Sequence, residues 1–215
     1  SGAAVGAALV RALAELAGAP LGPDAVSALV YESERQFHGT PSGIDNTVVA
    51  REEPILYIRQ PEMLPSIQPL RVGGPWQFVI GDTGVVSSTK AVVGDLRRRW
   101  EQDPARYEPL FDAIGHAVMD IYHSIRADDG PGLGALLDEN HRLLQAIGVS
   151  APELDRLTEA ARAAGAWGAK MSGAGWGGVM LALAEPERAA AIAAALRAAG
   201  AARVWTTELA RTWHA

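Results

Sequence analysis

Two acidic residues, Glu34 and Asp45, lie on either side of a short segment that is rich in glycine and proline. The segment 38–46 reads HGTPSGIDN, a composition typical of a tight turn. Because such a turn folds the chain back on itself, we expect the two carboxylates to approach the same region. Such a pair suits a divalent cation beside a general base, since Mg²⁺ takes one or two carboxylates and leaves its other positions to phosphate and water. Alternatively, Asp45 caps the next element and Glu34 faces solvent.

The run KMSGAGWGG at 170–178 is a second candidate site. Its glycines let the backbone approach a ligand closely, and consecutive N–H groups can form a nest that binds an anion. The run is not a Walker A loop, which ends in Gly-Lys-Ser/Thr, and it does not open a Rossmann helix. The alternative interpretation is a flexible hairpin leading into the strand that follows.

Weaker signals lie at the starts of predicted helices. The first residues, 1–4, lead directly into a helix whose unpaired N–H groups and dipole favour a phosphate, although an ordinary N-cap would have the same sequence. The run Asp-Thr-Gly at 82–84 ends a strand, and Thr89 and Lys90 follow near the next helix start. That position suits ligand contacts, but it also suits a plain turn and cap. His116, His123 and His141 lie in helical patterns without HExxH spacing, which favours packing or surface roles over metal binding.

Composition limits the function classes. The chain has 215 residues, of which 48% are hydrophobic, enough for one large domain or two modest ones. The net charge of −6 and the single basic run at 97–99 argue against nucleic-acid binding. The absence of cysteine excludes disulfides and thiolate nucleophiles, which fits a cytoplasmic protein. No segment is apolar for long enough to span a bilayer.

Periodicity, caps and breakers predict an α+β protein, because helices occur in runs instead of alternating strictly with strands. Residues 60–75 contain four prolines and a Gly-Gly pair, so we place a domain boundary there. The predicted helices are 3–17, 23–37, 88–102, 104–126, 133–147, 151–164 and 186–199. The predicted strands are 76–80, 179–183 and 203–209, preceded by one or two strands within 47–59 that include residues 47–49 and 55–58.

Taken in order, these motifs resemble the GHMP kinase superfamily, and within it the mevalonate kinase family. ERQFHGTPSGIDN at 34–46 is similar to that family's glutamate followed by His-Gly-x-Pro-Ser-Gly-x-Asp-Asn. DTGVVSSTKAVV at 82–93 resembles its segment ending in Thr-Lys/Arg-Ala-Leu-Val, and AKMSGAGWGGVMLAL at 169–183 resembles its third motif. The resemblance covers essentially the whole chain.

The resemblance implies a GHMP kinase two-domain fold. Residues 1–72 would be the remainder of the N-terminal domain, which binds ATP and Mg²⁺, and residues 73–215 a ferredoxin-like C-terminal domain. The implied reaction is ATP-dependent phosphorylation of the mevalonate hydroxyl, a step towards isoprenoid precursors in the cytoplasm. Neither nucleic acid nor membrane is an implied partner, and a homodimer is among the assemblies that the resemblance allows.

The resemblance also assigns roles to residues. Asp45 takes the proton from the substrate hydroxyl as it attacks the γ-phosphate, and Glu34 and Ser1 hold Mg²⁺. The glycine-rich loop at 172–178 completes the pocket for phosphate and substrate. The cofactor-binding residues are Ser1, Gly2, Ala3, Ser172, Gly173, Ala174 and Gly175, and the substrate-binding residues are His38, Ser42, Gly43, Thr89 and Gly173.

Two positions depart from the family pattern. Gly2 stands where many members have a second serine, which removes one oxygen ligand. Trp176 replaces a residue that is often glycine, and it either reshapes the loop or offers a stacking face to a nucleotide or a neighbouring ring. The family's upstream Gly-Leu-Gly and its N-terminal lysine are not among these residues. We therefore expect a missing N-terminal segment of the same kinase as a partner, and no catalysis from these residues alone.

Two other functions stay open. One is another GHMP small-molecule kinase, such as a phosphomevalonate kinase, although a phosphate-bearing substrate should require more Arg or Lys in the pocket segments. The other is a non-catalytic GHMP-fold protein that binds a ligand, although a binder has no need of a base such as Asp45.

Overall fold

The chain forms two compact units, Ser1–Leu70 and Arg71–Ala215. A computed structural model describes residues 2–38, 41–60 and 63–211 of the sequence. The predicted assignment of residues 1–72 and 73–215 as the two domains of a kinase stays a prediction.

The first unit contains three helices that pack on one another and a small hairpin. The helices are α1 (Gly2–Leu16), α2 (Pro23–His38) and α3 (Ile44–Arg51), and the antiparallel hairpin consists of β1 (Ile55–Ile58) and β2 (Ser66–Pro69). The helix core is built from small and β-branched side chains, which allow the helix axes to approach closely. Its buried members are Ala3, Ala7, Val26, Val30 and Ala50.

The prediction of a strand at 47–49 is wrong, because these residues form the middle of α3. Thr47 and the valines after it favour strands, but that preference depends on context. Here the Thr47 side chain is buried, and its Oγ1 donates a 2.6 Å hydrogen bond to the Gly43 carbonyl one turn earlier. Packing against α1 and α2 therefore overrides the local preference. Strand β2 was also missed, because it lies within the proline-rich stretch that shows no period.

The second unit is a four-stranded antiparallel sheet with five α-helices in its described part. The sheet order β4-β5-β3-β6 is that of a ferredoxin-like fold, except that four helices instead of one separate its first two strands. This confirms the predicted α+β class and the ferredoxin-like unit. In chain order the elements are β3 (Trp76–Asp82), α4 (Thr89–Gln102), α5 (Pro104–Ser124), α6 (Gly130–Ala146), α7 (Pro152–Ala163), β4 (Gly168–Ser172), β5 (Val179–Ala184), a 3₁₀ turn (Pro186–Arg188), α8 (Ala189–Ala198) and β6 (Arg203–Leu209).

One face of this sheet is covered by α7 and α8. Period-two alternation along the strands directs Val79, Met171 and Met180 to that face, where they are buried against leucines and isoleucines of the two helices. Gly81 lies on the same face, and a Cβ there would lie 3.3 Å from both Leu196 Cδ1 and Met180 Sδ.

Helix α6 runs along the outer edge of β4. Asp138 Oδ1 accepts a 2.8 Å hydrogen bond from the Ala169 N–H, and His141 Nδ1 accepts one of 3.2 Å from the Met171 N–H. These bonds require a close backbone approach, and a Cβ at Gly168 would lie 1.9 Å from the Gly134 carbonyl oxygen. Residues 170–172, which the sequence places in the glycine-rich run, are therefore part of a strand.

Within residues 2–38, 41–60 and 63–211, no helix is both long enough and apolar enough to cross a membrane.

We predict that Gly168→Ala destabilises the protein by about 3 kcal/mol, the upper end of over-packing costs. The physical reason is that the new methyl group overlaps the backbone of α6, which cannot move away by rotating a side chain. Gly115→Ala is the control, because Gly115 lies inside α5 and, apart from the neighbouring backbone of that helix, no described atom lies within 4 Å of the added Cβ. It should stabilise the protein by about 0.5–1 kcal/mol. Urea unfolding followed by circular dichroism measures both, and equal effects of the two variants would contradict the prediction.

Candidate active site

Glu34 of α2 lies against the first residue of α1. A Cβ on Gly2 would be 2.8 Å from Glu34 Oε1, so the half-buried carboxylate and the Gly2 backbone are in close proximity. A side chain at residue 2 would require the end of the flexible Glu34 side chain to shift. The N-terminus of a helix carries unpaired N–H groups and the positive end of the dipole, which favour negatively charged groups. The structure therefore brings the predicted metal ligand Glu34 to the predicted phosphate site at Gly2.

The turn before α3 depends on Gly43. Its φ of +87° lies in the left-handed region, and a Cβ there would lie 2.5 Å from Tyr57 Oη. The Tyr57 hydroxyl donates a 3.0 Å hydrogen bond to the Ser42 carbonyl, which ties the turn to the β1–β2 hairpin. Burial raises the pKa of Tyr57 from its ordinary value, so this hydroxyl stays protonated and continues to donate.

Asp45 is exposed because its two neighbours are buried. The Asn46 side chain is 5% exposed and donates to Ser27 of α2, at 2.8 Å to Oγ and 3.2 Å to the carbonyl oxygen. Thr47 is buried beside it. With these two side chains held inside, helical geometry leaves Asp45 on the outer side of the first turn of α3. Among the described residues, no hydrogen bond or ion pair engages the Asp45 carboxylate.

The other predicted site residues of the first unit differ in burial. Ser1 lies outside the described residues, as does the side chain of His38. Ala3 is buried in the helix core and can contribute only its backbone to a ligand site. Ser42 is exposed, and its Oγ accepts a 3.3 Å hydrogen bond from the Ile44 N–H.

The donor set for a metal ion is small. Among the described residues, no three His, Cys, Asp or Glu side chains are grouped closely enough to hold one by themselves. Mg²⁺ does not require such a group, because it is usually held by one or two carboxylates together with phosphate oxygens and waters. The Glu34 carboxylate at the N-terminus of α1 therefore fits the ligand chemistry of a magnesium–nucleotide complex.

In the second unit, the glycine-rich loop 173–178 connects β4 to β5. Gly173, Gly175, Gly177 and Gly178 all have positive φ, a conformation that other residues rarely adopt. At Gly175 a side chain is also excluded by space, because a Cβ would lie 1.9 Å from the Val149 carbonyl oxygen.

Many of the loop's polar groups are already bonded within the unit. Ser87 Oγ donates to the Gly175 carbonyl at 2.6 Å, and the backbone N–H and the hydroxyl of Thr83 both donate to the Gly178 carbonyl at 2.9 Å. Within the part of the chain that the structure describes, no hydrogen bond engages the N–H groups of Gly173, Ala174 or Gly175. This arrangement fits the nest of N–H groups that the glycine spacing predicts.

Trp176 anchors the middle of this loop. Its backbone N–H donates to the Val149 carbonyl at 2.9 Å, and its indole Nε1–H donates to the Gly148 carbonyl at 3.1 Å. The ring is partly buried against the core of the unit. Its φ of +56° is uncommon for a bulky residue. The tryptophan therefore shapes the loop by attaching it to the connection between α6 and α7.

At the end of β3 and in the segment after it, Asp82 is buried and hydrogen bonded, whereas Thr89 is exposed. Asp82 is 7% exposed; its Oδ1 accepts from the Gly84 N–H at 2.9 Å and its Oδ2 from Arg203 Nη2 at 2.8 Å. The hydrogen bond from Gly84 is the main cause that lowers the pKa of Asp82, and Arg203 adds to it. Asp82 is thus occupied in holding the turn. Thr89, the predicted substrate contact, is the exposed first residue of α4.

Sequence reasoning missed the residues that hold the candidate groups in place. Asn46, Thr47 and Tyr57 anchor the turn beside Asp45, and Ser87 and Thr83 hold the glycine-rich loop. The available signal was weak, because a polar residue near a turn is usually a solvated residue or a cap. Only the three-dimensional fold shows that Asn46 and Thr47 are buried.

Comparison with known proteins gives two family matches. The family model described as "GHMP kinases N terminal domain" matches residues 1–51, and the model described as "GHMP kinases C terminal" matches residues 121–202. Together the two matches cover more than half of the chain.

Individual relatives agree with these matches. The chain is 37% identical over 206 residues to the mevalonate kinase of Thermococcus sibiricus and 39% identical over 207 residues to that of Pyrococcus horikoshii. Each alignment covers 93% of this chain, and 60% and 59% of the respective relative, so the chain spans about 60% of the length of these curated relatives. A crystal structure of L. major mevalonate kinase in complex with R-mevalonate is similar with a TM-score of 0.91 and 33% identity, covering 98% of this chain and 65% of that one.

We predict that Trp176→Phe destabilises the protein by about 1 kcal/mol, because it removes one hydrogen bond while keeping an aromatic ring in place. Trp205→Phe is the matched control, since Trp205 is 44% exposed on β6 and makes no hydrogen bond through its indole N–H to any described residue. Its effect should stay within about 0.5 kcal/mol, as is usual for surface substitutions. Urea unfolding followed by far-ultraviolet circular dichroism distinguishes the two, and a smaller loss for Trp176→Phe than for Trp205→Phe would refute the anchoring role.

Proposed function

Because the chain belongs to the GHMP kinase family, we propose that the protein transfers the γ-phosphate of ATP to the primary hydroxyl of mevalonate. The observation that carries the proposal is the exposed Asp45 carboxylate, which the buried neighbours Asn46 and Thr47 hold on the outer side of α3. The names of the two archaeal relatives and of the L. major enzyme support mevalonate as the substrate.

The reaction needs a proton acceptor and a positioned phosphate. As the mevalonate hydroxyl oxygen forms its bond to the γ-phosphorus, the Asp45 carboxylate accepts the hydroxyl proton. The bond from the γ-phosphorus to the β–γ bridging oxygen breaks, and ADP leaves. Phosphoryl transfer has a loose transition state, so catalysis consists mainly of positioning and charge neutralisation. A fixed turn such as the one at Gly43 serves that purpose, because it limits where the Asp45 carboxylate can move.

The first turn of α1 is assigned to the ATP phosphates. The backbone at Gly2 and Ala3 would supply N–H groups, and Ser1 a hydroxyl oxygen. Glu34 and Ser1 would hold Mg²⁺, whose chemistry is to neutralise charge on the phosphate oxygens. The proximity of the Glu34 carboxylate to Gly2 supports this assignment.

The remaining assignments concern the substrate and the glycine-rich loop. His38, Ser42, Gly43, Thr89 and Gly173 are assigned to mevalonate. The loop residues 172–175 are assigned to phosphate, and the unengaged N–H groups of that loop support this role.

Phosphorylation of phosphomevalonate is the alternative kinase function. A phosphomevalonate kinase would need to bind the phosphate of its substrate, for which arginine and lysine are the usual ligands. The segments 41–46 and 172–178 contain neither residue. This composition favours the unphosphorylated substrate.

A non-catalytic ligand-binding protein is the other alternative. Such a protein would have no use for a carboxylate aimed outwards and fixed by buried polar neighbours. The two functions differ in what the loss of Asp45 would do, since only a catalyst depends on a proton acceptor.

We predict that Asp45→Asn in the complete protein lowers kcat by about 10²–10⁴-fold, the usual contribution of a general base. The amide has nearly the same shape but cannot accept the proton. Steady-state kinetics with ATP and mevalonate measure the effect, with circular dichroism to check the fold.

The control for this variant is Asp24→Asn. Asp24 is an exposed carboxylate of α2 that pairs with Arg51 at 2.8 Å, and its neutralisation should leave kcat within twofold, since exposed ion pairs contribute little. Wild-type turnover in Asp45→Asn would rule out Asp45 as the base.

The second prediction of this proposal concerns the substrate. Among mevalonate, phosphomevalonate, homoserine and galactose, we expect mevalonate to give the highest kcat/KM, because the segments 41–46 and 172–178 carry no Arg or Lys for a second phosphate. A coupled assay for ADP release measures all four at equal enzyme concentration. A higher kcat/KM for phosphomevalonate would exclude the proposed substrate while keeping the reaction class.

A further inference from the structure

His141 of α6 is a buried residue outside the proposed reaction. Its side chain is 1% exposed, and the described hydrogen bonds use both ring nitrogens. Nδ1 accepts a 3.2 Å hydrogen bond from the Met171 N–H of β4. Nε2 lies 3.1 Å from Thr158 Oγ1 and 3.2 Å from Asp155 Oδ1, both on α7. One imidazole thus joins three elements.

These partners determine the protonation state of the ring. The Met171 N–H can only donate, so Nδ1 must be unprotonated. The Thr158 hydroxyl donates to the Asp155 carbonyl at 2.9 Å, so its oxygen is available to accept from Nε2–H. His141 is therefore neutral, with its proton on Nε2, and protonation of Nδ1 would place two donors against each other at Met171.

The connection between α6 and α7 also contacts the glycine-rich loop. Met171 lies two residues before Gly173, where the loop begins, and Trp176 in the middle of the loop donates to the Gly148 and Val149 carbonyls between α6 and α7. The adjacent Ser150 donates at 2.5 Å to Asp155 Oδ1, the oxygen that also faces His141. Hydrogen bonds, together with the peptide bond between Val149 and Ser150, thus connect the His141 ring with the end of β4 and with the Trp176 attachment of the loop.

We propose that His141 is a positioning residue for the glycine-rich loop, holding the end of β4 on α6 and α7 so that the loop's N–H groups keep the geometry needed to bind a nucleotide phosphate. The nucleotide part of this inference rests on the proposed function, whereas the loop positioning does not. No direct contact of His141 with a ligand is required.

Acid should release this attachment. Burial lowers the pKa of His141, with Arg162 and Lys170 acting in the same direction and Asp155 opposing them. These charged groups face the ring from α7 and β4. Since the folded pKa lies below the unfolded value of about 6.5, the neutral ring contributes its full stabilisation above that pH. The contribution is lost as the pH falls through the folded pKa.

The test compares His141→Leu with His141→Gln in the complete protein. Leucine can neither accept from Met171 nor donate to Thr158, whereas glutamine offers one acceptor and one donor and does not titrate. At pH 7.5, His141→Leu should weaken ATP binding about tenfold in calorimetry, the effect of one lost hydrogen bond. It should also speed hydrogen exchange at residues 171–178, and His141→Gln should restore both to within about twofold of wild type on the same scale.

The pH dependence of ATP affinity distinguishes this positioning role from a general contribution of His141 to stability. As the pH falls from 7.5 to the lowest pH at which both proteins stay folded, wild-type ATP affinity should fall more steeply than that of His141→Gln, because only the wild type can protonate the ring. Titration of the ATP phosphate is common to both proteins and cancels in this comparison. Parallel pH profiles would overturn the inference, as would unchanged exchange at 171–178 in His141→Leu.

If His141→Leu fails to fold, the comparison of His141→Gln with wild type still decides the question. Failure of the proposed function is separately visible. A wild-type protein that does not phosphorylate mevalonate overturns that proposal, while the exchange of residues 171–178 and its pH dependence continue to test His141. Turnover of mevalonate by the wild type together with identical acid profiles would instead overturn only the role of His141.

Discussion

The outer edge of β4 is the constraint on which the second unit depends. An edge strand exposes N–H groups that need partners, and here the N–H groups of Ala169 and Met171 are bonded by side chains of α6. That solution works only because Gly134 and Gly168 let the two backbones meet. The register of β4 against β5 then fixes where the strand ends, and so where the glycine-rich loop begins. The position of the loop is therefore a consequence of how an unpaired strand edge is satisfied.

In the first unit, the orientation of the Asp45 carboxylate also depends on how buried polar groups are hydrogen bonded. Asn46 and Thr47 are buried polar residues, and such residues are tolerated only where their hydrogen bonds are satisfied. Ser27 and the Gly43 carbonyl satisfy them. Once both are inside, the residue before them must lie outside. The orientation of Asp45 therefore follows from its neighbours, without a hydrogen bond or ion pair of its carboxylate among the described residues.

Local sequence signals account for the elements that carry a strong period. The helices between 104 and 163 and the strands β3, β5 and β6 follow from hydrophobic spacing, although α6 begins at Gly130 after the cap Asp129, three residues before its predicted start. Two short strands were missed and residues 47–49 were assigned wrongly, because tertiary packing determines those segments. The motif residues could be found from the sequence, whereas the hydrogen bonds that hold them could not. His141 illustrates the difference: its helical context indicates packing, but its three partners come from segments distant in the chain.

Trp176 shows how the loop combines strain with rigidity. A bulky residue at positive φ costs about 1–3 kcal/mol, and its two hydrogen bonds return about 0.5–1.5 kcal/mol each, with partial burial of the ring adding to them. A glycine at 176 would relieve the strain but would lose the indole and its attachment to Gly148. The tryptophan thus restricts the movement of the loop at its middle, while Ser87 and Thr83 restrict it at the Gly175 and Gly178 carbonyls. N–H groups held in this way need little reorganisation when an anion arrives, which is the property that makes a preorganised dipole effective.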